Sequence, residues 1–473
     1  MTKNIFFTII FCASISVNSY TQNYSNTWES IDSRPIPTWF GNAKFGIFIH
    51  WGVYSVPAWR KVESARYASY AEWYYARVMD NKENGGWEFH RQNYGEDFEY
   101  RDFAPLFKAE LFNPDQWAAL FKKSGAKYVV LTSKHHDGYC LWPTKNKHKK
   151  NWNAGDIGPE RDLLGELSNS VTNTGLKMGF YYSIPDWESI PRKIDKSEYY
   201  IRNEFVEKYG LEPEIYRDEV LLPQLKELVS NYKPSIIFSD AGEWVYDDNF
   251  WKTKEFLSWL YNESPCKDEV VVNDRWFKGM TGKHGDYYSS EYKDANADSF
   301  SKPWEESRGI GGSYGFNRAE NAEDYSSSKE LILELVDIVS RGGNLLLNVG
   351  PTADGRIPVV MQERLLDIGS WLSVSGEAIY GTRRYSIPRV EYQNQTIYYT
   401  TKGNNLYCIF TSWDDALEFD FNNEDMIVDI SLLGWDGDIV WTVNDNKVRI
   451  EIPKLTINDI PCLHAWTMKI ELE

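Results

Sequence analysis

The stretch AKYVVLTSKHHDGYCLW, Ala126 to Trp142, is apolar through Leu131 and then sets Lys134, His135, His136 and Asp137 in a row. The chain has 7 histidines in all, and two of them stand side by side where a buried strand should stop. Polar groups at such a place are costly unless they face a cleft or a partner. The same order recurs in FGIFIHWG, KMGFYYS, SIIFSD, VVVNDRW, DYYSSEY and NLLLNVG, which close on His50, Tyr181, Asp240, Arg275, Glu291 and Asn348. Between these runs lie helical patterns: RDLLGELSNSVTNTG, EVLLPQLKELVSNY and SSKELILELVDIVSRGG. In the last, Ser327 and Glu330 fit a capping box and Gly342 and Gly343 a stop. Strand and helix in alternation predict a parallel sheet with crossover helices. Closing that sheet into a barrel opens every strand's C-terminal end on one face, which gathers groups far apart in sequence. The fold class expected is therefore α/β: a (β/α)8-like barrel over residues 30–380, followed by a small C-terminal antiparallel β-sandwich over 385–473. In the latter part TIYYTT, LYCIFTS, LEFDF, DIVWTV, KVRIEI and AWTMKIEL alternate between turns. Residues 186–218 are charged and Tyr-rich without a period, and read as a long excursion near the active face.

The net charge of −18, from 69 acidic and 51 basic residues, leaves no basic stripe to track phosphates and argues against nucleic acid. The 20 Trp and 31 Tyr suit stacking on sugar C–H faces, although most aromatics in any protein simply fill core and surface. MTKNIFFTIIFCASISVNSYTQ has an early lysine, an apolar run and small residues before a cut, so residues 1–19 read as a signal peptide. That run is too short for a membrane span, and the expected location is exported, periplasmic or secreted. Cys140, Cys266, Cys408 and Cys462 show no CxxC and no close pairing, which signals neither a disulfide framework nor a thiolate metal site.

Asp240 and Glu291, at the ends of two runs, are the minimum equipment for glycoside hydrolysis, one attacking carbon and the other delivering a proton. Arg275 lies between them in sequence, where it can lower one carboxylate's pKa and bind a sugar oxygen. Each has a structural explanation as well: Asp240 as a helix cap, Arg275 as partner to Asp274. Three histidines at strand ends suggest a shared polar pocket. A metal is the rival reading, but HxH and HxxxH spacings and a cysteine cluster are missing.

In KFGIFIHWGVYSVPAW, YAEWY, AKYVVLTSKHHDGYCLW, GFYYS, VVNDRW, Trp304 to Arg318 and VSRGGNLLLNVGP, the chain resembles the α-L-fucosidases of glycoside hydrolase family 29. The motifs run in order over about residues 35–385. The resemblance implies a (β/α)-barrel with a C-terminal β-sandwich, no metal or cofactor, and retaining hydrolysis of terminal α-L-fucose from fucosylated oligosaccharides or glycoconjugates. It carries the nucleophile to Asp240 and the acid/base to Glu291, with Glu305 and Glu306 as rivals. The sugar pocket falls on His50, Glu72, Trp73, His135, His136, Tyr181, Arg275 and Tyr314, with Trp73, Tyr314 and Phe238 as candidates for the methyl niche. The segment DAGEW departs from the shorter D-x-G-W of many relatives and adds Glu243 near the nucleophile. Alternative readings are a non-catalytic fucose-binding protein and a metal-dependent hydrolase built on His50, His135 and His136. Linkage, aglycone and oligomeric state are not legible in the sequence.

Overall fold

The computed structural model describes residues 23–64, 67–79, 86–187, 208–292, 301–421, 426–444 and 446–473. The expected signal peptide and the greater part of the 186–218 excursion lie outside these residues.

Eight parallel strands form one curled sheet: β1 (Phe45–Ile49), β2 (Tyr128–Lys134), β3 (Lys177–Ser183), β4 (Ile236–Asp240), β5 (Val271–Val272), β6 (Tyr288–Glu291), β7 (Trp304–Gly309) and β8 (Asn344–Val349). Their order is β5-β4-β3-β2-β1-β8-β7-β6. Strands β1, β2 and β8 are buried along their whole length, which is why they read as continuous apolar runs and not as alternation. Phe48, Tyr128, Val130, Tyr181, Phe238 and Leu346 fill the interior. The helices named in the sequence form as expected over Leu163–Asn173 and Ser328–Ser340, the latter with its Ser327/Glu330 capping box in place. EVLLPQLKELVSNY divides into a π turn (Arg217–Leu221) and a helix (Leu222–Tyr232), because Pro223 has no N–H to continue the ladder and sits in the helix's first turn.

Strand β5 is only two residues long, and no ladder joins it to β6 among the described residues. Two aspartates stitch the seam in its place. Asp286 accepts from Val272 N at 2.9 Å, and Asp274 accepts from Ser289 N at 2.9 Å and Ser289 Oγ at 2.7 Å. Asp274 is therefore a seam residue, and Arg275 emerges beside it.

Strand β7 is a correction to the sequence reading, which found seven runs. Its sequence WEESRG hides a strand because Glu305 faces the interior, where the Tyr128 hydroxyl donates to it, while Glu306 faces Arg308 at 3.1 Å. Two more strands, Arg383–Tyr392 and Ile427–Leu432, were likewise not read, being mostly exposed or half-buried. With the six expected segments they make a five-stranded and a three-stranded antiparallel sheet. Ile397, Leu406, Cys408, Leu417, Ile450 and Ile470 belong to a core of their own between them. The five-stranded sheet packs against the helix Ser328–Ser340, and Trp371 Nε1 of the helix Val359–Ser375 donates to Ala465 O at 2.9 Å.

Candidate active site

The segment KHHDGY works as a turn with divided duties. Lys134, the last residue of β2, points away into a sealed cluster where its Nζ lies 3.3 Å from Asp186 Oδ2 and Lys149 Nζ lies 2.9 Å from the same atom. Gly138 has φ +76, and a Cβ there would come within 2.7 Å of Lys149 Nζ, so only glycine fits the bend. Asp137 accepts from Tyr100 OH at 2.7 Å and from Tyr139 N at 3.1 Å. With the turn anchored on both sides, the rings of His135 and His136 sit 4.2 Å apart and reach the same cavity. Burial would raise the Asp186 carboxyl, but Lys149 and Lys134 overcome it and hold it at about 2. Its folded pKa is depressed, so its contribution to stability is present above about pH 3.9 and is lost as pH falls through 2. Replacing Asp186 by Asn removes the buried carboxylate that the Lys134 and Lys149 ammonium groups share. The expected cost is about 3–5 kcal/mol, read as a lower denaturation midpoint at pH 7.

That cavity, ≈ 590 Å³, opens at the C-terminal ends of the strands. His50, Glu72, Trp73, His135, His136, Tyr181, Asp240, Arg275, Glu291 and Tyr314 all line it. Phe238, one candidate for the methyl niche, lines it too, and Phe48 packs against Phe238 at 5.1 Å between ring centroids.

Asp240 is held at both oxygens. Tyr181 OH donates to Oδ2 at 2.8 Å, and Arg275 Nη1 donates to Oδ1 at 3.2 Å. The chain leaves β4 through Ala241 at φ 63, and Gly242 packs on the main chain of Arg275 and Trp276, where a Cβ would meet Trp276 O at 2.3 Å. Burial opposes ionisation of Asp240, but the Arg275 guanidinium and the Tyr181 hydroxyl outweigh it and hold the carboxyl below its usual range. For Glu291 the balance reverses: burial, aided by Asp240, raises its carboxyl despite Arg275 and Tyr70. Arg275 Nη1 lies 3.6 Å from Glu291 Oε2 and 3.2 Å from Asp240 Oδ1, so one nitrogen spans the two carboxylates.

The histidines are neutral, since burial pushes His50 down to about 3, His136 down to about 4 and His135 well below its usual value. Asn348 Nδ2 donates to Tyr314 O at 2.7 Å, so its Oδ1 accepts from His50 Nδ1 at 2.7 Å. Ser183 Oγ donates to Pro185 O and therefore accepts from His136 Nδ1 at 2.6 Å. Those bonds assign the tautomers: both rings keep the proton on Nδ1 and offer a bare Nε2 lone pair. Such lone pairs accept from hydroxyls. Glu72 accepts from Gly315 N at 2.8 Å and Ser313 Oγ at 3.1 Å, and burial lifts it to about 7.

Neither Glu305 nor Glu306 lines the cavity. Glu305 sits lower in the barrel interior, where burial raises it to about 8. Several lining residues were not singled out in the sequence, among them Phe48, Tyr67, Tyr70, Arg77, Trp244 and Thr281. Phe48 was accessible in principle, being two residues before His50 on the same strand face. Tyr70 opens the motif YAEWY. Tyr67 and Thr281 come from irregular loops, where no periodicity points inward. Among the described residues no group of three His, Cys, Asp or Glu is disposed to hold a metal ion, and no helix is long and apolar enough to cross a membrane.

The chain is similar to known proteins over most of its length. The family model described as alpha-L-fucosidase matches residues 11–377, and the alpha-L-fucosidase C-terminal domain matches residues 391–471. Human tissue alpha-L-fucosidase is 41% identical over 455 residues, covering 95% of this chain and 92% of that one. The alpha-L-fucosidase of Dictyostelium discoideum is 42% identical over 407 residues, 84% of this chain and 83% of its own. The crystal structure of Thermotoga maritima alpha-fucosidase with a mechanism-based inhibitor superposes with a TM-score of 0.81 at 38% identity, covering 95% of this chain and 100% of that chain. A barrel whose strand ends carry two acids spanned by one arginine, matched by family models over both parts of its length, places this chain in the alpha-L-fucosidase family.

Proposed function

We propose that this chain is a retaining exo-α-L-fucosidase in which Asp240 is the nucleophile and Glu291 the acid/base. The observation that carries the residue assignment is Arg275 Nη1, within 4 Å of an oxygen of each acid. That geometry bounds the two oxygens at roughly 7 Å, which admits the ~5–5.5 Å separation of a retaining pair. In the first step an Asp240 oxygen bonds to the anomeric carbon while the Glu291 proton passes to the departing oxygen, and the aglycone leaves as an alcohol. In the second, water gives its proton to Glu291 and its hydroxyl to the same carbon, and the bond to Asp240 breaks. Both inversions occur at one centre, so the configuration is retained.

The sugar is held by groups suited to hydroxyls: the Nε2 lone pairs of His50 and His136, His135 Nδ1, which is buried without a protein partner, and the indole of Trp73. Phe48, Phe238 and Tyr314 supply an apolar wall for the methyl group. The fucose-binding reading is disfavoured by the opposite pKa directions of the two acids, an arrangement that a mere lectin has no use for. The C-terminal sheets, over residues 385–473, act as a buttress for the barrel. Residues 1–19 act as an export signal, checked by N-terminal sequencing of the mature protein.

The test is turnover of a chromogenic aryl α-L-fucoside with the first-formed sugar followed by proton NMR: α-L-fucose must appear before mutarotation. Initial β-L-fucose would overturn retention, and loss of activity on chelation with recovery on zinc would restore the metal-hydrolase reading. The pH profile of kcat/KM is expected to be a bell. Asp240 must be ionised, so its acidic limb falls below about pH 3.9, and Glu291 must be protonated, so its alkaline limb lies above about pH 4.3.

A further inference from the structure

Glu291 ends β6 with little from its own strand to hold it. It pairs on one side with Ser307 of β7, has no ladder partner toward β5 among the described residues, and is followed at once by Tyr292 at φ 49. What grips it comes from the loop after β1. Tyr70 OH donates to Glu291 Oε1 at 2.6 Å, and Tyr67 OH donates to the Glu291 main-chain oxygen at 2.7 Å. Tyr70 is itself immobilised. Its ring stacks on Tyr314 at 5.3 Å and 22°, and Tyr67 meets it edge-on at 5.7 Å. The Arg77 guanidinium lies over the same ring at 6.0 Å and also donates to Tyr67 O.

We propose that Tyr70 is a positioning residue for proton transfer: by occupying Oε1 of Glu291 as a donor, it confines the transferable proton to Oε2. The inference rests on the reading of Glu291 as the acid/base. A carboxylic acid has one proton and two oxygens, and an oxygen already accepting a strong hydrogen bond is the poorer place for it. Oε2 is the oxygen 3.6 Å from Arg275 Nη1, on the side of Asp240, and so it faces the gap in which the scissile bond must lie. When Oε2 surrenders its proton to the glycosidic oxygen, the resulting carboxylate already has a donor at each oxygen, Tyr70 at one and Arg275 near the other. Water restores the proton to Oε2 in the second step. Burial and the Glu291 charge keep the Tyr70 phenol protonated well above its usual range, so it acts only as a donor. Tyr67, bound to a main-chain oxygen, fixes where the residue stands and not which oxygen is protonated.

The experiment compares Tyr70→Phe, Tyr67→Phe and Glu291→Gly on two aryl α-L-fucosides, one with a poor and one with a highly activated leaving group. Tyr70→Phe keeps the ring and its stack, so thermal unfolding is expected to match the parent. Removing a donor to the charged form raises the carboxyl, and the alkaline limb of kcat/KM should move up by about one pH unit. The poor leaving group should lose about ten- to a hundredfold in kcat/KM, whereas the activated one, which needs little proton help, should lose less than about threefold. Tyr67→Phe should leave the alkaline limb in place. An unmoved limb in Tyr70→Phe, an equal loss on both substrates, or the same shift in Tyr67→Phe would overturn the inference. If Glu291→Gly itself shows no dependence on the leaving group, the acid/base reading is what fails. If it shows that dependence and Tyr70→Phe does not move the limb, the role of Tyr70 alone is wrong.

Discussion

Replacing Asp240 by glycine is expected to lower kcat/KM on an aryl α-L-fucoside by about ten-thousandfold or more, the loss typical of removing a nucleophile. Sodium azide should then restore turnover by attacking from the face that the carboxylate vacated, and the product should be β-L-fucosyl azide, of inverted configuration. The variant is a fair test because its neighbours remain supported: Arg275 keeps Glu291 within 3.6 Å and Ser289 Oγ within 3.0 Å, and Tyr181 keeps its place in the barrel interior. Thermal unfolding of the variant checks that the barrel survives. If Asp240→Gly retains near-parental activity, or if azide yields the α-azide, Asp240 is not the attacking group.

The second large effect is expected at Glu291. Glu291→Gly should cost about 10²–10⁴-fold on substrates whose leaving group needs a proton, and far less on an activated aryl fucoside. Azide should rescue this variant with the opposite stereochemistry from Asp240→Gly: it enters where water normally enters, after the fucosyl-enzyme has formed, so the product is α-L-fucosyl azide. Glu305→Gln is the contrast. Its carboxyl is buried below the cavity, raised to about 8 and served by the Tyr128 hydroxyl, so an uncharged amide of the same shape should leave the alkaline limb and the leaving-group dependence as they are. Reversal of these two results, with Glu305→Gln showing leaving-group dependence and Glu291→Gly none, would transfer the proton-donor role to β7.

Much of the architecture was legible because burial leaves a mark on composition. Strands covered on both faces must be apolar along their length, so β1, β2, β3, β4 and β8 stand out, and the Ser327/Glu330 cap announces its helix. Strand β7 did not announce itself. Its acids are tolerated because Arg308 of the same strand pairs with Glu306 and because Tyr128 and Ser290, supplied by other strands and invisible in a local window, donate to them. The two-residue β5 misled in the other direction: VVVNDRW reads as a full strand, but its ladder gives way to the side chains of Asp274 and Asp286.

At the site, the order of residues already shows which groups with chemistry stand at strand ends, and the ordered motifs carry the family resemblance. His50, the His135–His136 pair, Tyr181, Asp240, Arg275 and Glu291 all stand out this way. It took the folded chain to show that Arg275 spans Asp240 and Glu291, that Glu305 and Glu306 stay out of the cavity, and that the protons of His50 and His136 sit on Nδ1. The reason is physical. A side chain's protonation and orientation depend on the few donors and charges within about 4 Å of it, and in a barrel those neighbours come from other strands, so no local pattern encodes them.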